Sequence, residues 1–228
     1  MPCQSCLITG TDTGVGKTIL TAAIVSYYAH YFPECRVAVY KPVQAGVGDR
    51  EYYQQVLSLS QTLAEINPIY LATPLAPPLS ADREGITIDL HHLWDSYEKL
   101  RQNYDLVLVE SAGGLGSPIT WAYTVADMAK DWRIPTLLVV PVVLGCISQS
   151  VVYSHFAQGR GIDLRGLVLN CSRPDSVLDD VAPIPLLEKL CHLPVLGTLP
   201  FIANCHDQQQ LSAAAQALKF LPLSKLLA

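Results

Sequence analysis

Short runs with scarcely a polar position recur along the chain: Cys6-Leu7-Ile8-Thr9, Val37-Ala38-Val39-Tyr40, Leu106-Val107-Leu108-Val109, Thr136-Leu137-Leu138-Val139-Val140, Leu167-Val168-Leu169 and Val195-Leu196-Gly197. A strand wet on one side alternates apolar with polar residues. Runs apolar throughout mark strands covered on both faces, as in parallel sheets. Between them, apolar residues return at helical spacing. Leu20, Ile24, Tyr27, Tyr28 and Tyr31 fall on one helix face, and Leu90, Leu93, Trp94, Tyr97 and Leu100 on another. A third helix is expected over about 147–157, with Val151, Val152 and Phe156 inward, and a fourth over 208–220. Strand alternating with helix predicts an α/β fold: a single domain over 1–228 with a doubly wound, mostly parallel sheet. Residues 67–78, carrying Pro68, Pro74, Pro77 and Pro78, read as an irregular lobe over that sheet.

Composition adds one constraint and removes several classes. Half of the 228 residues are apolar and only 15% are charged, against a usual ~25%. Such a chain has extra surface to bury, in a sheet covered on both sides or at a subunit interface. A net charge of −5 argues against non-specific binding to nucleic acid or anionic membrane. The longest apolar run, 134–147, is broken by Pro135 and Pro141 and is too short to span a bilayer. The first residues lack the basic and long apolar regions of a signal peptide. Seven scattered cysteines, an odd number, fit a reducing compartment better than a disulfide framework. The expectation is a cytoplasmic protein without nucleic-acid or membrane partners.

Directly after the first strand comes Gly10-Thr11-Asp12-Thr13-Gly14-Val15-Gly16-Lys17-Thr18, leading into the first long helix. Its Gly-Lys-Thr end and strand–loop–helix setting match the phosphate-binding loop of P-loop NTPases. Glycines permit a tight curl whose N–H groups face phosphate oxygens, and the helix N-terminus adds partial positive charge. Lys17 is placed to reach the β- and γ-phosphates and Thr18 to ligate Mg²⁺. The leading glycine stands one residue early, giving a G-x₅-G-K-T variant. Partition-type ATPases of this architecture carry an extra lysine where this chain has Asp12. GTPases read guanine through Asn-Lys-x-Asp, whereas the comparable place here is Asn170-Cys171-Ser172-Arg173.

A nucleotide site needs a further carboxylate for Mg²⁺. Asp105 opens the strand Leu106-Val107-Leu108-Val109 and Glu110 closes it. Ligands of open α/β sheets bind beyond the carboxyl ends of strands, so Glu110 is the candidate and Asp105 a cap at the other end. Ser111-Ala112-Gly113-Gly114 then lets backbone approach phosphate. Lys41, ending another strand before Pro42, faces the same crevice as Lys17, and two lysines there imply a highly anionic substrate. Asp49 is either a Mg²⁺ ligand or the N-cap of the helix that follows, with Glu51 inside that helix. Cys3-x-x-Cys6 would need further ligands to form a zinc site, and the Cys-His pairs at 191–192 and 205–206 lack the usual metal spacing. Cys146 and Cys171 read as packing residues, and His91 and His92 as surface.

The loop 10–18, Tyr40-Lys41-Pro42-Val43, Val109-Glu110-Ser111-Ala112-Gly113-Gly114 and Leu144-Gly145-Cys146-Ile147 together closely resemble the dethiobiotin synthetases. The resemblance runs over nearly the whole chain. It implies an ATP- and Mg²⁺-dependent cyclo-ligase of biotin biosynthesis that converts 7,8-diaminononanoate and CO₂ into dethiobiotin, releasing ADP and phosphate. It further implies Mg²⁺ on Thr18, Asp49 and Glu110, with Lys41, Lys17 and Thr13 catalytic. Nucleotide contacts would come from Gly14, Val15, Gly16, Lys17, Thr18, Ile19, Ser111, Ala112 and Gly113. Asn170 would meet adenine, with Leu199, Pro200 and Phe201 lining the base pocket. Substrate would touch Thr13, Lys41 and Ala45, and its carboxylate would rest on Gly145, Cys146, Ile147 and Ser148 of the second subunit of a homodimer. Ala45 stands where the family often has Ser or Thr, so that hydrogen bond is either absent or supplied by Gln44. Val143 replaces a basic residue common in its stretch. The rival readings are a degenerate regulatory P-loop domain, against which the retained Lys17, Thr18, Lys41 and Glu110 speak, and a corrinoid amidase, which needs a fused glutaminase domain.

Overall fold

The computed structural model describes residues 3–223. The chain runs through β1 (Gln4–Gly10), α1 (Lys17–Tyr31), β2 (Val37–Tyr40), β3 (Val43–Ala45), α2 (Asp49–Val56) and α3 (Leu63–Ile66). It continues through β4 (Ile69–Leu71), α4 (Pro77–Glu84), α5 (Leu90–Asn103), β5 (Leu106–Gly114), α6 (Val125–Asp131) and β6 (Thr136–Pro141). The last third holds α7 (Cys146–Arg160), β7 (Leu164–Asn170), α8 (Leu178–Val181), α9 (Ile184–Cys191), β8 (Val195–Leu199) and α10 (Gln208–Ala215). Six strands form one sheet in the order β2-β5-β1-β6-β7-β8, every neighbouring pair parallel.

The apolar runs behave as their composition demands. Successive strand side chains point to opposite faces, and here both faces are covered. Cys6, Ile8, Val39, Leu106, Leu108, Leu137 and Val139 pack on the side of α1 and α10. Their sequence neighbours Leu7, Ala38, Tyr40, Val107 and Val109 pack on the side of α5 and α6. Leu138 and Val140 join Cys146, Leu187 and Cys191 under α7 and α9. Each buried aliphatic side chain contributes about 1.5–3 kcal/mol. With all first-half strands parallel, the ends of β1, β2 and β5 open on the same edge, and the loop after β1 is flanked by those after its neighbours.

Three expectations are corrected. On α7 the buried side chains are Cys146, Ser150, Ser154 and Ala157, small residues that let the helix sit close to the sheet. Val152 and Phe156, expected inward, are 63% and 40% exposed. Residues 67–78 are not wholly irregular: β4 pairs in parallel with β3 in a small second sheet, and α4 starts at Pro77. The last helix stops at Ala215, because Leu218 leaves it to bridge back to Gly197 beside β8. No helix among the described residues is long and apolar enough to cross a membrane.

Candidate active site

The loop between β1 and α1 takes its shape from glycine. Gly16 has φ of +100°, and a Cβ there would overlap the side-chain nitrogen of Asn170. Both the left-handed backbone and the contact exclude other residues. Asn170 Nδ2 donates to the Val15 carbonyl at 2.9 Å, tying the end of β7 to the loop. Lys17, the first residue of α1, folds over the curl and donates to the Asp12 carbonyl at 2.9 Å. Burial, aided by the charge of Lys41, pulls the Lys17 ammonium below its ordinary pKa, although Glu110 opposes this.

Thr18, Lys41, Asp49 and Glu110 meet beside it. Lys41 Nζ lies 2.5 Å from Asp49 Oδ2 and 2.7 Å from Glu110 Oε1, and 3.3 Å from the Ser111 carbonyl. The Thr18 hydroxyl lies 2.8 Å from Asp49 Oδ1 and 3.1 Å from Glu110 Oε1. Glu110 Oε2 accepts from the Tyr53 hydroxyl. Burial works against the Lys41 charge, but Glu110 and Asp49 outweigh it and lift that pKa above its usual value. Burial raises and Lys41 lowers the Asp49 pKa, and Lys41 wins. Glu110, wholly buried and facing a second carboxylate, is held above the usual carboxylate range despite Lys41. Burial and then the Glu110 charge push the Tyr53 phenol far up.

Lys41 is fixed by its backbone as well. Its N–H donates to the Ile66 carbonyl at 2.7 Å and its carbonyl accepts from Asn67 Nδ2 at 2.7 Å. One turn of strand earlier, the Gln61 amide bonds both backbone groups of Val39, so side chains close the free edge of β2. Asp49 does not cap α2. Gly48 holds the cap position, and its N–H is taken by Glu51, which leaves the Asp49 carboxylate for the cluster. Gln44 is fully used in this turn: its amide donates to Gly46 and Glu51 and accepts from the Arg50 N–H.

A cleft of about 720 Å³ brings together Thr13, Gly14, Gly16, Lys17, Thr18, Ile19, Lys41, Ala45, Asp49, Glu110, Ala112 and Gly113. Val43, Gln44, Pro74, Leu75, Ala76, Pro77, Ser117 and Pro118 complete its wall. Other expected residues stand outside it. Val15 is buried in the core below the loop. The Ser111 hydroxyl turns away to Thr9 and the Gly113 carbonyl. Leu199 is a core residue, while Phe201 beyond it is 44% exposed and Pro200 is exposed. Gly145, Cys146, Ile147 and Ser148 open α7 away from this cleft, with Cys146 Sγ turned to the Val181 carbonyl and Leu144 96% exposed. Tyr53, Gln61 and Asn67 escaped the sequence reading. Only Tyr53 left a signal there, its i+4 spacing from Asp49 on a helix face.

A profile of the AAA-domain family matches residues 4–209. The ATP-dependent dethiobiotin synthetase BioD of Gloeobacter violaceus is 48% identical over 215 residues, 93% of this chain and 92% of that protein. The chain belongs to the ATP-dependent dethiobiotin synthetase family. The BioD of Synechocystis sp. is 41% identical, over 98% of this chain and 94% of its own. Among solved structures, a ParA family ATPase from Chlorobium tepidum superposes with a TM-score of 0.57 at 14% identity, covering 98% of this chain and 94% of that one. MinD of Aquifex aeolicus gives 0.55 at 15% identity, covering 99% and 94%. These two share with this chain the fold alone.

Proposed function

We propose that the chain is a dethiobiotin synthetase: it uses MgATP and CO₂ to close the ureido ring of dethiobiotin on 7,8-diaminononanoate, releasing ADP and phosphate. The observation that carries this reading is the shared cleft of Lys17 and Lys41, with Thr18, Asp49 and Glu110 between them. The relatives' names supply the use of ATP and the product, dethiobiotin.

The reaction joins two anions. One substrate amine attacks CO₂, loses a proton and becomes a carbamate. A carbamate oxygen attacks the γ-phosphorus, and the bond to ADP breaks. The second amine attacks the carbamoyl carbon and expels phosphate. In this assignment Lys17 meets the phosphates, and Lys41, aimed by two carboxylates and a sealed strand edge, sits by the amines and the carbamate with Thr13. Two fixed ammonium groups offset the repulsion of carbamate and triphosphate and follow the charge as it spreads. Gly14, Gly16, Ala112 and Gly113 lie against the triphosphate as backbone.

The donor set suits Mg²⁺. One hydroxyl and two carboxylates are hard oxygen ligands, and no cluster of three or more His, Cys, Asp or Glu occurs among the described residues. Such a site holds the ion jointly with nucleotide phosphates. Thr18, Asp49 and Glu110 would hold it, and it would supply charge to the phosphoryl oxygens. Adenine falls to Asn170, which already orients the loop, and to the exposed Pro200 and Phe201, with Leu199 held in the core. Gly145, Cys146, Ile147 and Ser148 serve the substrate carboxylate of a partner subunit, since they open a helix whose N–H groups favour anions. The exposed Leu144, Val152 and Phe156 beside them support a homodimer, and the free cysteines support a cytoplasmic setting. Incubation with diaminononanoate, ¹³C-bicarbonate and MgATP tests the reading: mass spectrometry should find singly ¹³C-labelled dethiobiotin, and ADP formed without it would refute the assignment.

A further inference from the structure

We infer that Tyr53 is a positioning residue whose phenol fixes the Glu110 carboxylate so that Oε1 alone faces the cleft. The inference rests on the reading of Glu110 as a Mg²⁺ ligand and concerns how that ligand is presented. Glutamate's terminal torsion is soft, so a free carboxylate can offer either oxygen or both. Here the choice is made by the fold. Tyr53 is wholly buried, in the core cluster that α1 and β1 share. Its hydroxyl donates to Oε2, while Oε1 meets Lys41 at 2.7 Å and Thr18 at 3.1 Å.

Tyr53 follows Asp49 by four residues on α2, so both lie on one helix face. One helix therefore sets the first carboxylate directly and the second through the phenol. A carboxylate offering one oxygen takes one site of a near-octahedral ion; offering two, it displaces a water or a phosphate oxygen. Such outer partners of a ligand typically carry about 10–100-fold in metal affinity or activity.

Wild type, Tyr53→Phe, Glu110→Gln and a protein with 3-fluorotyrosine placed only at position 53 are compared. Mg²⁺ half-saturation is measured at saturating ATP, Mn²⁺ binding to the ADP complex by electron paramagnetic resonance, and metal-free ADP affinity separately. Tyr53→Phe should weaken Mg²⁺ and Mn²⁺ about 10-fold or more, leave metal-free ADP affinity as in wild type, and hold kcat at saturating Mg²⁺ within about 3-fold. Fluorotyrosine, which keeps the hydroxyl, should retain wild-type metal affinity, and its ¹⁹F resonance should shift when MgADP is added. Unchanged metal affinity in Tyr53→Phe beside a weakened Glu110→Gln overturns this inference alone. Unchanged affinity in both overturns the Glu110 reading as well. An equal loss of metal-free ADP affinity marks a merely structural role and also overturns it. If Tyr53→Phe does not fold, the resonance decides, and one insensitive to MgADP is contrary.

Discussion

Lys41 sits between two carboxylates with its backbone bonded on both sides, so its charge is placed before any substrate arrives. Replacing it by glutamine should lower kcat by about 10²–10³, the usual cost of losing one preorganised donor at a developing charge. The KM for ATP should stay nearly constant, because Lys17 and the loop carry that binding. Steady-state kinetics decide it, and unchanged turnover refutes the role. Gly16 is a different kind of requirement. At φ of +100°, with Asn170 against it, Gly16→Ala strains the backbone and displaces the clamp on Val15. ATP affinity should fall by about 10-fold or more, for a strain of order 1–3 kcal/mol, as calorimetric titration would show. Among the residues, Lys17, Thr18, Lys41, Asp49 and Glu110 were legible in the sequence because Lys17 and Thr18 open α1, Lys41 follows β2, Asp49 opens α2 and Glu110 ends the apolar run of β5, although that strand itself continues to Gly114. Asn170 was legible as a strand end, but its grip on Val15 was not, since that contact spans 155 residues.

The start of β5 shows what the other end of the sheet does. Asp105 accepts from Arg36 through the guanidinium and the backbone N–H, stapling β2 to β5 as the expected cap. The Arg36 side chain and then its N–H hold the Asp105 carboxyl down at about 2, against an ordinary 3.8. A depressed folded pKa stabilises above the unfolded value, and that contribution fades as pH falls toward the folded one. The urea midpoint of Asp105→Asn should therefore lie below wild type at pH 7, and the gap should close between about pH 4 and pH 2. High salt should also narrow it, since the pair is exposed. A gap independent of pH contradicts this. Elements were read well where both faces were buried. Periodicity failed on α7, because its inward face is made of serine, cysteine and alanine, which no hydrophobic count selects. It failed again at β3 and β4, whose three-residue strands are too short to carry a period.

At the scale of the whole molecule, the chain combines low charge content with exposed Leu144, Val152 and Phe156, the features on which the proposed dimer rests. In the proposed dimer, 145–148 reach the neighbour's cleft, so assembly and catalysis are linked. Light scattering should give twice the 24.9 kDa chain mass. Val152→Glu should shift the protein toward monomer and raise the KM for diaminononanoate more than that for ATP. An active monomer would end the shared-site account. The doubly wound fold was legible from strand–helix alternation, but ParA and MinD ATPases share that fold at 14–15% identity, so the fold alone does not identify the chemistry. The central claim is that a carbamate oxygen attacks the γ-phosphate between Lys17 and Lys41. Brief turnover with ¹⁸O-labelled bicarbonate added to unlabelled water, stopped before the carbonate oxygens exchange with solvent, reads this in the released phosphate. The account predicts that one oxygen per phosphate comes from the carbonate pool and that none does when diaminononanoate is omitted; phosphate whose new oxygen tracks water alone would contradict it.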